Sequence, residues 1–184
     1  MEDDGLDIPG NAQDWAAICC TVVNEDRTEN GDAFVVEEPA AECSGSPIYR
    51  DNLLLRETFG LTVAVVKYMD RLALRRRWLV DQFERSSAAP GASSKESQNA
   101  ESLRDFTHKL KIALKEADEA EYWYYVIVAT NDNAADSDII GRIQRVMRIL
   151  NKIISTSKKR LAQLKASEAK NKQRSAEPAK NAIS

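Results

Sequence analysis

The chain has 184 residues, with 26 basic and 29 acidic side chains and a net charge of −3. That length suits a single domain, and 43 % apolar with 30 % charged residues allows a modest core beside solvated segments while excluding a collagen-like, mucin-like or wholly disordered chain. The small total charge hides a gradient: residues 1–47 hold twelve acids against one base, net −11, whereas residues 48–184 hold 25 bases against 17 acids, net +8.

In chain order, residues 1–13 are acidic and carry Gly5 and a Pro9-Gly10 turn signal, which reads as a flexible leader. Two short apolar runs, 16–23 and 33–36, flank a loop containing Asn30-Gly31, a pattern that predicts a weak β-hairpin. An isolated hairpin is marginal in water, so it needs something to dock on. Residues 39–47 read as a linker, and residues 1–47 together as an acidic, poorly structured extension. Its charge, opposite to that of the remainder, predicts that it docks on basic bundle surface of the same chain or regulates it. Three cysteines, Cys19, Cys20 and Cys43, are an odd set with two adjacent, which fits neither a disulfide framework nor a Cys-x-x-Cys metal knuckle. No apolar run approaches the ~20 residues of a membrane span, and the acidic start is the reverse of a signal peptide's basic region. The expectation is a cytoplasmic protein without a membrane partner.

From Ile48 the texture changes to a helical period. In residues 50–74, Leu55, Phe59, Val63, Val66 and Met69 recur at i+3/i+4 spacing, which predicts one buried face. A short basic helix over 75–85 follows, with Trp78, Leu79 and Phe83 apolar. The Ser/Ala/Pro/Gly-rich residues 86–94 read as a loop ending at a candidate N-cap, Ser94, with Gln98 beyond it. Residues 95–129 carry the strongest stripe: Leu103, Phe106, Leu110, Ala113, Leu114, Ala117, Ala120 and Tyr124, uninterrupted by Gly or Pro. After a polar connection over 131–138, residues 139–164 place Ile139, Ile143, Val146, Leu150, Ile153, Leu161 and Leu164 on one side. Beyond Leu164 little remains to bury until Ile183, and the chain reads as a frayed helix passing into a basic, disordered tail over residues 166–184. Four amphipathic segments joined by short polar loops predict an all-α, antiparallel up-down four-helix bundle over residues 48–165.

Residues 94–123, from Ser94-Lys95-Glu96 to Glu121-Tyr122-Trp123, add a resemblance to this reading. Glu96, Ala100, Asp105, Phe106, Lys109, Leu110, Ile112, Ala113, Leu114, Lys115, Glu116, Ala117, Glu119 and Trp123 fall in the order of the third helix of a four-helix bundle family first named for proteins encoded in intervening sequences of 23S ribosomal RNA genes. The family includes the accessory variability proteins of diversity-generating retroelements. The likeness extends more loosely over 50–158, where Arg56-Glu57-Thr58-Phe59 resembles the first helix and Ile153-Ile154 with Ser155-Thr156-Ser157-Lys158 the last. Family members usually carry Thr-Ser-Ile-Gly-Ala-Asn-(Ile/Val) in the loop before the third helix; here the aligned residues are Ala88-Ala89-Pro90-Gly91-Ala92-Ser93-Ser94, which keep Gly91 and Ala92 alone. The resemblance implies a homo-oligomer, commonly a pentamer, with an accessory or nucleic-acid-associated role and no catalysis. In a retroelement setting it implies a reverse transcriptase as partner.

Candidate functional residues follow from charge and shape. Arg142, Arg145, Arg148 and Lys152 recur along the last helix with no acid among them, and Lys158, Lys159 and Arg160 continue the run. Arg75, Arg76 and Arg77 form a second group. Cations so spaced suit phosphates of RNA or DNA without reading sequence, and they equally suit a solvated helix face. Tyr122, Trp123, Tyr124 and Tyr125 point all round a helix; one or two belong to the core, and the others suit a subunit interface or base stacking. Asp105-x-x-His108 has half of a di-metal spacing, but the chain holds one histidine, so an exposed histidine is the better reading. No phosphate loop or nucleophile–base set can be assembled, and no cofactor is expected. The sequence reading is therefore a non-enzymatic, oligomeric accessory protein that binds nucleic-acid backbone through basic helix faces; the alternative is an oligomeric scaffold without nucleic acid.

Overall fold

The computed structural model describes residues 52–72 and 76–176. The predicted leader, hairpin, linker and cysteines, the docking of the acidic extension, Arg75, and residues 177–184 of the predicted tail lie outside the described residues. Within them the chain forms four helices: α1 (Leu53–Arg71), α2 (Arg77–Ser97), α3 (Leu103–Thr130) and α4 (Ser137–Ala176). Each packs mainly on its neighbours in chain order, and α4 closes the ring against α1. Short connections between successive helices force antiparallel neighbours, the up-down bundle topology.

The helix ends are specified by polar side chains that satisfy the free N–H groups of a first turn. Asn52 caps α1, accepting from the Leu55 N–H at 3.2 Å. Its own amide donates to Gln98 Oε1 at 3.1 Å, tying the start of α1 to the end of α2. Ser102 caps α3 through the Asp105 N–H at 3.1 Å. The Asp136 carboxylate accepts from the N–H groups of Asp138 and Ile139 at the start of α4. The connection before α4 is held by two buried tyrosines: the Tyr68 hydroxyl donates to the Ala134 carbonyl, and the Tyr124 hydroxyl donates to the Asp136 carbonyl at 2.8 Å and accepts from its N–H at 2.9 Å.

The core runs the length of the bundle through Leu54, Leu61, Val65, Leu79, Phe83, Phe106, Leu110, Ile127, Ile143 and Leu150. The α3 stripe predicted from sequence is this core, with Leu114 packed at its margin. The α4 stripe is buried as far as Ile154, and Leu161 and Leu164 are partly covered.

Three expectations are corrected. First, α1 buries Leu54, Thr58, Leu61, Val65 and Tyr68 along with Leu55 and Met69, while Phe59 and Val66 stand 37 % and 46 % exposed. Helix α1 has two apolar faces; a polar Thr58 within the buried one conceals its period, and the hydroxyl is satisfied by the Leu54 carbonyl at 2.8 Å. Second, residues 86–94 are not a loop. They lie inside α2, which runs from Arg77 to Ser97 with Pro90 in its interior, so Ser94 is not a cap. Leu79, Phe83, Ser86, Ser87, Pro90, Ser94 and Ser97 are its buried residues, and this is a helical period written in small side chains. Their smallness lets helices approach closely: a Cβ built on Gly91 would meet Thr58 Cβ of α1 at 3.6 Å. Pro90 lacks the N–H that the Ser86 carbonyl would accept, a local cost of about 3 kcal/mol in a typical helix that packing has to outweigh. Third, α4 continues past Leu164 to Ala176; what changes at Leu164 is exposure, not backbone conformation.

Candidate nucleic-acid interface

Basic residues of α4 divide into two groups by their surroundings. The α4 flank that faces α1 carries Arg142 and Arg145. Arg145 Nε lies 3.0 Å from Glu57 Oε2 of α1, with the two side chains only 19 % and 9 % exposed. Arg56 Nε lies 3.9 Å from the other Glu57 oxygen. Arg142 reaches back one turn to Asp138 Oδ2 at 2.8 Å, and its guanidinium passes 3.7 Å from the position a Cβ would take on Gly60 of α1. The stripe has no acid in sequence between Arg142 and Arg160, but the fold supplies one in Glu57 and the preceding turn another in Asp138. Arg142 and Arg145 are therefore engaged within the bundle. Lys152 is likewise half-buried.

Arg148, Lys158 and Lys159 are exposed and Arg160 is partly so. Past Leu161 α4 leaves the bundle. The Gln144 amide donates to Glu121 Oε1 of α3 at 3.0 Å, and at this antiparallel register the first turn of α3 lies level with the turn of α4 holding Leu161. The last twelve or so residues of α4 thus project about 18 Å beyond α3, at 1.5 Å per residue. Lys165, Lys170 and Lys172 are exposed on this extension, with Glu168 their one acidic companion through Lys172. From Arg142 to Lys172 the helix holds ten basic residues and a single acid. Periodicity limited to apolar residues did not reveal this feature; the signal available was the same charge run continued past the last leucine.

Arg76 and Arg77, both exposed, sit at the start of α2 at the opposite end of the bundle, so the two basic groups named from sequence are not brought together. Beside them Trp78 of α2 meets Trp123 of α3 edge to face, with centroids 5.9 Å apart. Tyr124 is in the core, whereas Tyr122 and Tyr125 are 61 % and 52 % exposed. His108 is exposed, and no cluster of metal-ligating residues occurs among the described residues. None of the described helices is long and apolar enough to cross a membrane.

Fold and surface together define a small antiparallel helical bundle with a protruding cationic helix. The family model described as 23S rRNA-intervening sequence protein matches residues 50–159, and the chain belongs to that family. It is similar to the solved structure, at 1.70 Å resolution, of a protein of unknown function from the S23 ribosomal protein family of Bacteroides thetaiotaomicron VPI-5482, with 28 % identity and a TM-score of 0.51. That similarity covers 58 % of this chain and 98 % of the other. No curated protein matches the chain.

Proposed function

We propose that this protein is a non-enzymatic, homo-oligomeric accessory protein that binds the phosphate backbone of RNA or DNA. The observation that carries the reading is the basic run along α4, where Arg148, Lys158 and Lys159 on the packed part and Lys165, Lys170 and Lys172 on the projecting end are exposed and a single acid intervenes. Cations on one straight helix follow a phosphate chain by charge and counterion release, without selecting bases. Family membership supports an RNA-linked setting. The exposed Phe59 and Val66 on the second apolar face of α1 support coverage of that face by another copy, in a pentamer or a smaller ring. In a retroelement setting the partner would be a reverse transcriptase.

Filter binding of the full chain to generic RNA tests the reading. Affinity should fall steeply as salt rises, and Lys158→Ala/Lys159→Ala/Lys165→Ala should reduce both the affinity and the salt dependence while leaving helicity unchanged. No retention at low salt would overturn it. The scaffold reading would then stand on the α1 face, with light scattering showing an oligomer that Phe59→Glu disperses.

A further inference from the structure

We propose that Trp78, Tyr122 and Trp123, with Arg76 and Arg77 beside them, form a stacking site for unpaired nucleobases, so that the nucleic acid taken by this protein is single-stranded. This rests on the backbone-binding reading above and adds a second, base-contacting site at the other end of the bundle.

The aromatic cluster lies outside the core. Leu79 of α2 and Tyr124 of α3, each one position along, are buried and close the α2–α3 seam, whereas Trp78 is 55 % and Tyr122 61 % exposed. Large aromatic side chains grouped on a surface are a signal of binding, since a lone exposed apolar residue needs no explanation but a cluster does. The rings touch edge to face: Trp78 on Trp123 with an interplanar angle of 81°, and Tyr122 on Trp123 at 4.9 Å and 71°. Each such contact covers one face of one ring, so the cluster keeps flat apolar faces open to solvent. The platform is held in place before any ligand arrives. Trp123 is half-buried, and its indole N–H donates to Glu119 Oε1 at 3.0 Å, which fixes the ring around which the other two are set. Rigid aromatic area of this kind binds at little cost in conformational entropy.

The charge around the platform selects a ligand that is both flat and anionic. Arg76 is the residue preceding α2 and Arg77 its first residue; no acid stands in that first turn, and Arg76 has no acceptor with which to cap it. The positive end of the helix dipole therefore adds to two guanidinium groups next to Trp78. Four acids lie near the rings: Asp81, Asp118 and Glu119, each about one turn further from this end of the bundle, and Glu121. Glu119 is engaged by Trp123 and Glu121 by Gln144 of α4, which leaves Arg76 and Arg77 as the charges next to Trp78 at the helix start. A base on the rings with its phosphate toward Arg76 and Arg77 satisfies both halves of the surface. Paired bases keep their faces inside the duplex and cannot reach the rings, which is why the site discriminates for single strands.

The test measures binding of the full chain to labelled oligouridylate and to an RNA duplex of equal length, by anisotropy. Trp78→Ala and, separately, Tyr122→Ala should weaken oligouridylate binding roughly five- to 150-fold, the range for loss of one stacked base, with duplex binding unchanged and Trp78→Phe restoring much of the loss. Trp78→Ala removes no charge, so the salt dependence of oligouridylate binding should be preserved. Unchanged single-strand affinity in both alanine variants, while the α4 lysine variant still lowers it, would overturn the stacking site and leave the backbone reading intact. A change of oligomeric state in Trp78→Ala would also overturn it, by making the cluster a subunit contact. Failure of the wild-type chain to bind any nucleic acid at low salt would overturn both.

Discussion

Removing the charge of Glu57 asks whether Arg145 belongs to the bundle or to a ligand. Glu57→Gln keeps the shape of the side chain and an oxygen facing Arg145 but leaves a guanidinium in a site where it retains 19 % of its exposure. At the observed 3.0 Å the attraction of two unit charges is about 5–6 kcal/mol for an effective dielectric constant of about 20. Part of that is recovered, because the remaining Gln dipole and the water at the exposed edge stabilise the cation. Breaking fully buried pairs costs about 3–5 kcal/mol, so the expected loss here is about 2–3 kcal/mol. Asp138→Asn is the internal control: its pair with Arg142 has side chains 36 % and 61 % exposed, and the expected loss is about 0.3–0.5 kcal/mol. Urea unfolding followed by circular dichroism reads both as shifts of the midpoint at constant slope. If Glu57→Gln cost no more than Asp138→Asn, the pair with Glu57 would not be what holds Arg145 in the bundle, and that role of Glu57 would be refuted.

Three further outcomes follow from the same packing. The Tyr68 phenol is pushed up from 10.0 to about 12, by burial first and by neighbouring Tyr124 and Asp136 next. Its neutral form is favoured in the folded state, so its contribution is complete below about pH 10 and is lost as pH rises through 12. Tyr68→Phe should cost about 1 kcal/mol at neutral pH and flatten the alkaline fall in urea midpoint; an unchanged alkaline limb would refute this. Gly141 lies in α4 with nothing within 4 Å of an added Cβ, so Gly141→Ala should raise stability by about 0.5–1 kcal/mol through helix propensity alone, seen as a higher melting temperature. The buried Ser94 hydroxyl has no hydrogen-bond partner among the described residues, so Ser94→Ala should be neutral or stabilising by up to about 1 kcal/mol; a clear loss of stability would mean that the hydroxyl is satisfied.

The α3 stripe was legible because its members are large and apolar, and Ala113, Ala117 and Ala120 sit at the same period. Helix α2 was not, because Ser86, Ser87, Pro90, Gly91 and Ser94 have the composition of a loop, and composition is read residue by residue while packing acts at i+3 and i+4. The buried face of α1 is hidden in the sequence for a related reason: Phe59 and Val66 outweigh Thr58 on any apolar scale, yet Thr58 can enter the core because the Leu54 carbonyl satisfies it. Among candidate site residues, the exposure of Arg148, Lys158 and Lys159 was readable from their distance to the leucine stripe. The engagement of Arg145 was not, because Glu57 is far away in sequence and reaches Arg145 only once α1 has closed on α4.

The sequence by itself determined the class of fold, the antiparallel order imposed by short connections, and the opposed charges of its two ends, since all three depend on spacing and composition along the chain. Tertiary structure alone decided which arginines remain available to a ligand, and that Trp78 and Trp123, from different helices, stand together beside Arg76 and Arg77. Both depend on which helix faces meet, and long-range burial settles that more strongly than any local preference of the segments.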